Sequence, residues 1–176
     1  MSAVIDISGD AILTAVRSFL TSVLPAAVQV VAGLDNQAPM PTGDFIVMTL
    51  ASMERLSYSM DSYSYSAATS GSSVASMTPW RVEIALDIYS PNGQQYAALL
   101  AGLLRSEYGA DNFPAPVVPL YCSDPKQMPF ITAGENWLQR WRMELSAQVN
   151  GTVTLATETA DQLQIGLEPI DQNFAP

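Results

Sequence analysis

Chemistry needs side chains that can move a proton, attack an electrophile or hold a metal, and this chain offers few of them. Its 176 residues contain no histidine. That removes Ser-His-Asp and Cys-His nucleophilic designs, together with the commonest metal ligand. The one cysteine, Cys122, has Lys126 as its nearest basic residue in sequence and no histidine to activate it, so it reads as a buried structural thiol. Glu83 and Asp87 share one face of an alternating segment. Four strand residues apart, they lie roughly 13 Å from each other, too far for joint acid–base work on one bond. Gly93 and Gly109 belong to no phosphate-binding loop. The Trp137–Arg142 stretch mixes aromatic and basic residues as a base-stacking surface would. However, Trp137 and Trp141 share one strand face, and core is the simpler reading. The expectation is therefore no enzyme, no cofactor and no metal.

The elements that carry these residues are clearer. Arg81 to Tyr89 alternates strictly, with Val82, Ile84, Leu86 and Ile88 on one side and charged or polar groups on the other. This predicts a strand buried on one face. Pro91-Asn92-Gly93 breaks it. Tyr96, Leu99, Leu100, Leu103 and Tyr108 then follow a helical period, with Gly109 placed as a stop. A first helix is predicted from Asp6 to Leu24, capped by Ser8 and halted by Pro25. Ala27 to Ala32 reads as a short strand and Gly33 to Gly43 as a connection. Phe45 to Leu50, apolar at nearly every position, reads as a strand covered on both faces. Val117 to Cys122 reads as an edge strand because Pro119 cannot donate to a ladder.

Leu138 to Asn150 alternates again, with Trp141, Met143, Leu145, Ala147 and Val149 inward. Its outer pattern complements that of the Arg81 strand. An antiparallel register is predicted that sets Arg81 opposite Glu144 and Glu83 opposite Arg142, each pair contributing roughly 0.2–1 kcal/mol. Beyond Thr152 the periodicity fades, leaving a tail with one or two possible helical turns at Thr159 to Ile165. The fold class is α+β: a mixed, mainly antiparallel sheet with two main helices on one face.

Met53 to Met77 stands apart. It is serine-rich and nearly uncharged, with Tyr58, Met60, Tyr63 and Tyr65 interleaved. The reading is a long protruding hairpin at 53–78, or else a serine-rich loop. Tyr, Ser and Met suit a surface that orders on assembly, since they bring contact area with little charge to desolvate. Residues 1–150 then make one domain, and 151–176 a C-terminal extension or arm.

Composition narrows the partners. Charged residues are only 14%, against about 25% in ordinary domains, as expected where a partner covers part of the surface. Seven basic residues face 17 acidic ones, for a net charge of −10. That excludes binding to nucleic acid through neutralised phosphates. One cysteine fits a reducing compartment, and neither a basic signal-peptide start nor a run of about 18 apolar residues occurs.

Several phrases carry a resemblance. Gly33, Asn36, Pro39 and Pro41 precede the Phe45–Thr49 strand; Arg55-Leu56-Ser57 and Arg81-Val82-Glu83-Ile84 follow; then come Gln139-Arg140-Trp141-Arg142-Met143-Glu144 and Gln148-Val149-Asn150. In this order they resemble the neck, or tail terminator, proteins of tailed bacteriophages over roughly residues 27–150. The resemblance implies a structural virion protein of the neck, assembled in the host cytoplasm. Such subunits form a ring, commonly a hexamer, that ends the tail tube and joins it to the head connector or an adaptor. In contractile tails it also meets the sheath, and DNA passes through the bore. On this reading Arg55, Tyr58, Met60, Tyr63 and Tyr65 of the arm, with Arg81, Glu83, Arg140, Arg142 and Glu144, are the candidate interaction residues. Two other readings stay open: a tube or baseplate adaptor, and a module that binds a small ligand or peptide.

Overall fold

The computed structural model describes residues 4–5, 7–33, 41–66, 71–128, 130–131 and 137–157. In chain order the elements are β1 (Val4–Ile5), α1 (Gly9–Val23), β2 (Gln29–Ala32), β3 (Phe45–Arg55), β4 (Met60–Ser66) and β5 (Gly71–Tyr89). They continue with α2 (Gly93–Leu104), α3 (Glu107–Asn112), β6 (Val117–Cys122), β7 (Lys126–Gln127), β8 (Phe130–Ile131), β9 (Trp137–Leu138) and β10 (Arg140–Thr157). Everything is laid out around β5. Its Val82, Ile84, Leu86 and Ile88 are fully buried, as their alternation predicts. β10 runs antiparallel along one side of it, from Arg140 opposite Tyr89 to Thr157 opposite Ser72. β3 runs antiparallel along the other side, and β2 adds in parallel to β3, so the sheet is mixed. β1, β6 and β7 share the far edge of β10. β8 and β9 pair separately. The predicted α+β class stands.

Helix α1 begins where the sequence places its cap: Ala11 N–H donates to Ser8 Oγ at 3.1 Å, and Asp10 lies in the favourable first turn. Ile12, Ala15, Val16, Phe19 and Leu20 bury one stripe of it, and Phe19 stacks on Phe113 at 4.7 Å. These side chains share one core with the inner face of β3, β5 and β10. α2 contributes Ala97, Leu100, Ala101 and Leu104 to the same core. Both main helices thus lie on one face of the sheet.

Four expectations need correction. The β5–β10 register is displaced by four residues from the one predicted: Arg81 faces Gln148, Glu83 faces Ser146, Arg142 faces Asp87 and Glu144 faces Ala85. A four-residue slip keeps every side chain on its own face, so alternation cannot detect it. Leu100 is buried and Tyr96 packs against the core as predicted, but Leu99 and Tyr108 point to solvent, and Gly93, Ala97, Ala101 and Leu104 complete the buried stripe of α2. Small residues win because the helix starts against the sheet: a Cβ on Gly93 would come within 2.8 Å of the Trp141 ring. Gly109 does not end the helix; it lies buried inside α3, where a Cβ would strike the Leu103 carbonyl oxygen. Finally, Leu138 pairs with β8 rather than opening the last strand, and β10 continues past Asn150 to Thr157. β3 is fully covered only on its inner face, through Ile46 and Met48, and partly on its outer one, where Phe45 stacks on Tyr89. The predicted turns at Thr159–Ile165, most of the Gly33–Gly43 connection and the face of Trp137 lie outside the described residues.

Candidate functional site

The predicted hairpin exists, and its construction explains its composition. β3 leaves the edge of β5 at Arg55 opposite Trp80, and Leu56 N–H still donates to the Pro79 carbonyl at 3.0 Å. β4 takes up the same edge from Met60 opposite Met77 to Ser66 opposite Gly71. With the outer end of β10 on the far side, the arm is a three-stranded ribbon of β4, β5 and β10, and β1 pairs the outer part of β10. A strand of 19 residues reaches about 60 Å, so β5 serves both body and arm.

Among the described residues no helix layer covers this ribbon, and its serines do the holding that a core would do. Ser59 Oγ and Thr78 Oγ1 lie 2.7 Å apart, Ser64 Oγ and Ser73 Oγ 2.8 Å, and Ser72 Oγ donates to the Thr157 carbonyl at 2.6 Å. Hydroxyl rungs plus main-chain ladders keep the strands paired while leaving the large side chains outside. Tyr58 is 86% exposed and Tyr63 76%, and Met60 and Tyr65 are more than half exposed. The Arg55 guanidinium sits over the Tyr58 ring at 6.0 Å. Among the described residues, β4 pairs only with β5, so its outer edge presents free backbone groups.

The charged candidates gather on the outer face of the sheet, where each already has a partner within the chain. Arg81 pairs with Glu54 on β3, and Ser52 Oγ donates to Glu83 Oε2 at 3.0 Å. Arg140 donates twice to Asp87, Nε to Oδ1 at 3.0 Å and Nη2 to Oδ2 at 2.9 Å. The same guanidinium lies 5.8 Å from the centre of the Tyr89 ring. The Asp87 hydrogen bond raises the Arg140 pKa, and burial raises that of the Tyr89 phenol. Arg142 and Glu144 form a looser pair at 3.6 Å. The arm and this face are thus two separate groups.

Alternation gave no hint of a further exposed group. Val118, Leu120 and Tyr121 on β6, with Met128 just after β7, are apolar and open to solvent. The one available signal was Val117-Val118-Pro119-Leu120-Tyr121 itself, an apolar run on a strand that its proline already assigns to an edge.

The chemistry available elsewhere is slight. Cys122 is fully buried, and burial pushes its thiol up to about 11 despite the nearby Arg105. Its thiolate is therefore scarce near neutral pH. The folded protein should resist an aqueous thiol reagent at about pH 8 and react fully once unfolded in urea. Rapid labelling of the native chain would contradict this. An apolar hollow of about 320 Å³ lies between the start of α1 and the root of the arm, lined by Ile12, Leu50, Met53, Trp80 and Val153 among others. Among the described residues lining it, Thr78 and Thr152 supply the side-chain hydroxyls and none is ionisable. Among the described residues, no three His, Cys, Asp or Glu side chains come together as metal ligands. None of the described helices is long and apolar enough to cross a membrane.

Comparison with known proteins adds two findings. The sequence profile of a family described as phage neck terminator protein matches residues 10–173. The fold is similar to that of the sheath/tube terminator of an extracellular contractile injection system (PVC), solved in its extended state by electron cryo-microscopy. The TM-score is 0.56 at 11% identity, over 94% of this chain and 64% of that one. This chain therefore spans less than two thirds of that protein's length. No curated protein matches the sequence.

Proposed function

The chain belongs to the phage neck terminator protein family, and from that premise we propose that it assembles into a ring that ends the tail tube and joins it to the head connector or an adaptor. The carrying observation is the arm, a long apolar projection held by hydroxyl rungs that the folded body leaves unused. Exposed Tyr and Met side chains beside an open strand edge need a protein partner to cover them. Arg55, Tyr58, Met60, Tyr63 and Tyr65 supply that contact. Arg81, Glu83, Arg140, Arg142 and Glu144 hold the outer face of the sheet together beneath it. The ring is a hexamer in the virion neck, assembled in the host cytoplasm, and it meets the sheath where the tail contracts. Its role is mechanical, and no catalysis is assigned to it.

Charge fits passage of the genome through the bore. With about six copies the ring carries roughly six times the −10 of one chain, a field that keeps DNA from adhering in transit. The test is the mass of the purified protein in solution, with negative-stain images. Closed rings, formed alone or on added tail tubes, are expected. Open-ended filaments would instead indicate a tube-like tail component, because a heterologous contact that does not close propagates.

A further inference from the structure

Among the described residues, exposed apolar side chains cluster in two places besides the scattered Leu99 and Tyr108. The first is on the arm: Tyr63 and Tyr65 share one face of β4 with Leu155 of β10, while Met60 lies on the other face and Tyr58 just before the strand. The second is the ledge formed by Val118, Leu120, Tyr121 and Met128 at the β6–β7 edge. The sheet holds them apart. β4 is bonded to β5 while β6 and β7 are bonded to β10, so the central pair lies between the patches. Tyr63 is level with Val74 and Leu155, whereas β6 is level with residues 145–149 of β10. At about 3.3 Å per residue and 4.8 Å per strand, the hairpin and the ledge are roughly 30 Å apart. No bend within one copy brings them together, because two long paired strands separate them.

We propose that the hairpin of one copy docks on the β6–β7 ledge of the next. This contact rests on the ring reading above and names the surfaces that close the ring. The charges agree. From Leu56 to Thr78 the only charged residue is Asp61. The ledge is flanked by Arg105, Lys126 and Arg142 against Asp124 and Glu144, three cations to two anions in a chain that is otherwise strongly acidic. A weakly anionic apolar hairpin therefore meets a weakly cationic apolar ledge. A second copy is also the occupant that uses both patches. Head-to-tail pairing covers every hairpin and every ledge once the ring closes, whereas an unlike partner on one patch leaves the other in water.

The test uses two full-length variants, Tyr63→Asp on the hairpin and Leu120→Asp on the ledge. Both side chains are exposed, so circular-dichroism melts should match the wild type. Each variant should weaken self-association about thirtyfold, the factor for losing an interface hot spot. Mixed together they should form a one-to-one dimer and nothing larger, because the Leu120→Asp copy keeps a good hairpin and the Tyr63→Asp copy a good ledge. Failure of the mixture to dimerise overturns the contact. Wild-type rings whose size neither variant changes leave the ring reading standing and overturn this contact alone. A wild-type chain that stays monomeric with and without tail tubes overturns both.

Discussion

Removal of Tyr58–Ser73 is expected to leave a folded monomer that no longer attaches to tails. The core shows why the fold survives. Its buried apolar residues come from α1, α2 and the inner stretches of β3, β5, β6 and β10, and none lies between Thr49 and Arg81. The deletion cuts β5 beyond its last contact with β3, which is Trp80 opposite Arg55. Ser57 joins Val74, and Val74–Thr78 leave their ladder with Gly151–Leu155 of β10 to form the new turn. A thermal melt should shift by no more than about 4 °C, the scale of 1 kcal/mol in a domain of this size. Attachment behaves differently, since the deletion takes away Tyr58, Met60, Tyr63 and Tyr65 together with the open edge of β4. Losing several anchors of the contact between copies at once should weaken ring closure, and attachment through the ring, by at least about a thousandfold. Co-sedimentation with purified tails measures this. Normal attachment by the shortened chain would sink the role assigned to the arm.

What the sequence disclosed depended on how much of each element is buried. Where one face of a strand is fully covered, selection for apolar side chains leaves an alternation that can be read directly, as for Val82 to Ile88 and Met143 to Val149. The arm has no such cover. Its strands are held by backbone ladders and hydroxyl rungs, which are compatible with almost any pattern, so β10 runs to Thr157 through residues that look irregular. In α2 the signal was right for Leu100 and Tyr96 and wrong for its other large residues. Leu99 and Tyr108 are the more hydrophobic side chains, but the close approach of the helix to Trp141 selects Gly93 and Ala97 for the inside. Hydrophobicity predicts the buried stripe only when space allows large residues there. The hairpin was legible through composition, from Tyr and Met among serines with scarcely a charge. The ledge was not, because Val118, Leu120 and Tyr121 on an edge strand look the same whether they face a core or water.

Substitution of Asp87 by alanine is expected to cost about 2–3 kcal/mol of stability, a large effect for one residue on the solvent side of a sheet. The reason lies in its partner. Side chains of Arg140 and Asp87 are only 21% and 11% exposed, and two hydrogen bonds join them. Truncating one member of a fully buried pair costs roughly 3–5 kcal/mol, because the other charge is left without an anion. Arg140 keeps some contact with water and the Tyr89 ring, which places the loss below that range. Glu144→Ala offers the contrast: its pair with Arg142 is long and more exposed, and such pairs contribute about 0–1 kcal/mol. Replacing both members, Asp87→Leu with Arg140→Met, should return stability to within about 1 kcal/mol of the wild type, since no stranded charge remains. Urea unfolding of the wild type, Asp87→Leu, Arg140→Met and the double variant gives the cycle, with Asp87→Ala and Glu144→Ala measured beside it. A loss under about 0.5 kcal/mol for Asp87→Ala would mean that the pair is no more than a surface contact. The cycle also separates the two groups of candidate residues. Because the Arg140 fork is already filled by Asp87, the double variant should assemble as the wild type does at temperatures where both are folded. Lost assembly in a well-folded double variant would instead move the docking surface from the arm to the outer face of the sheet.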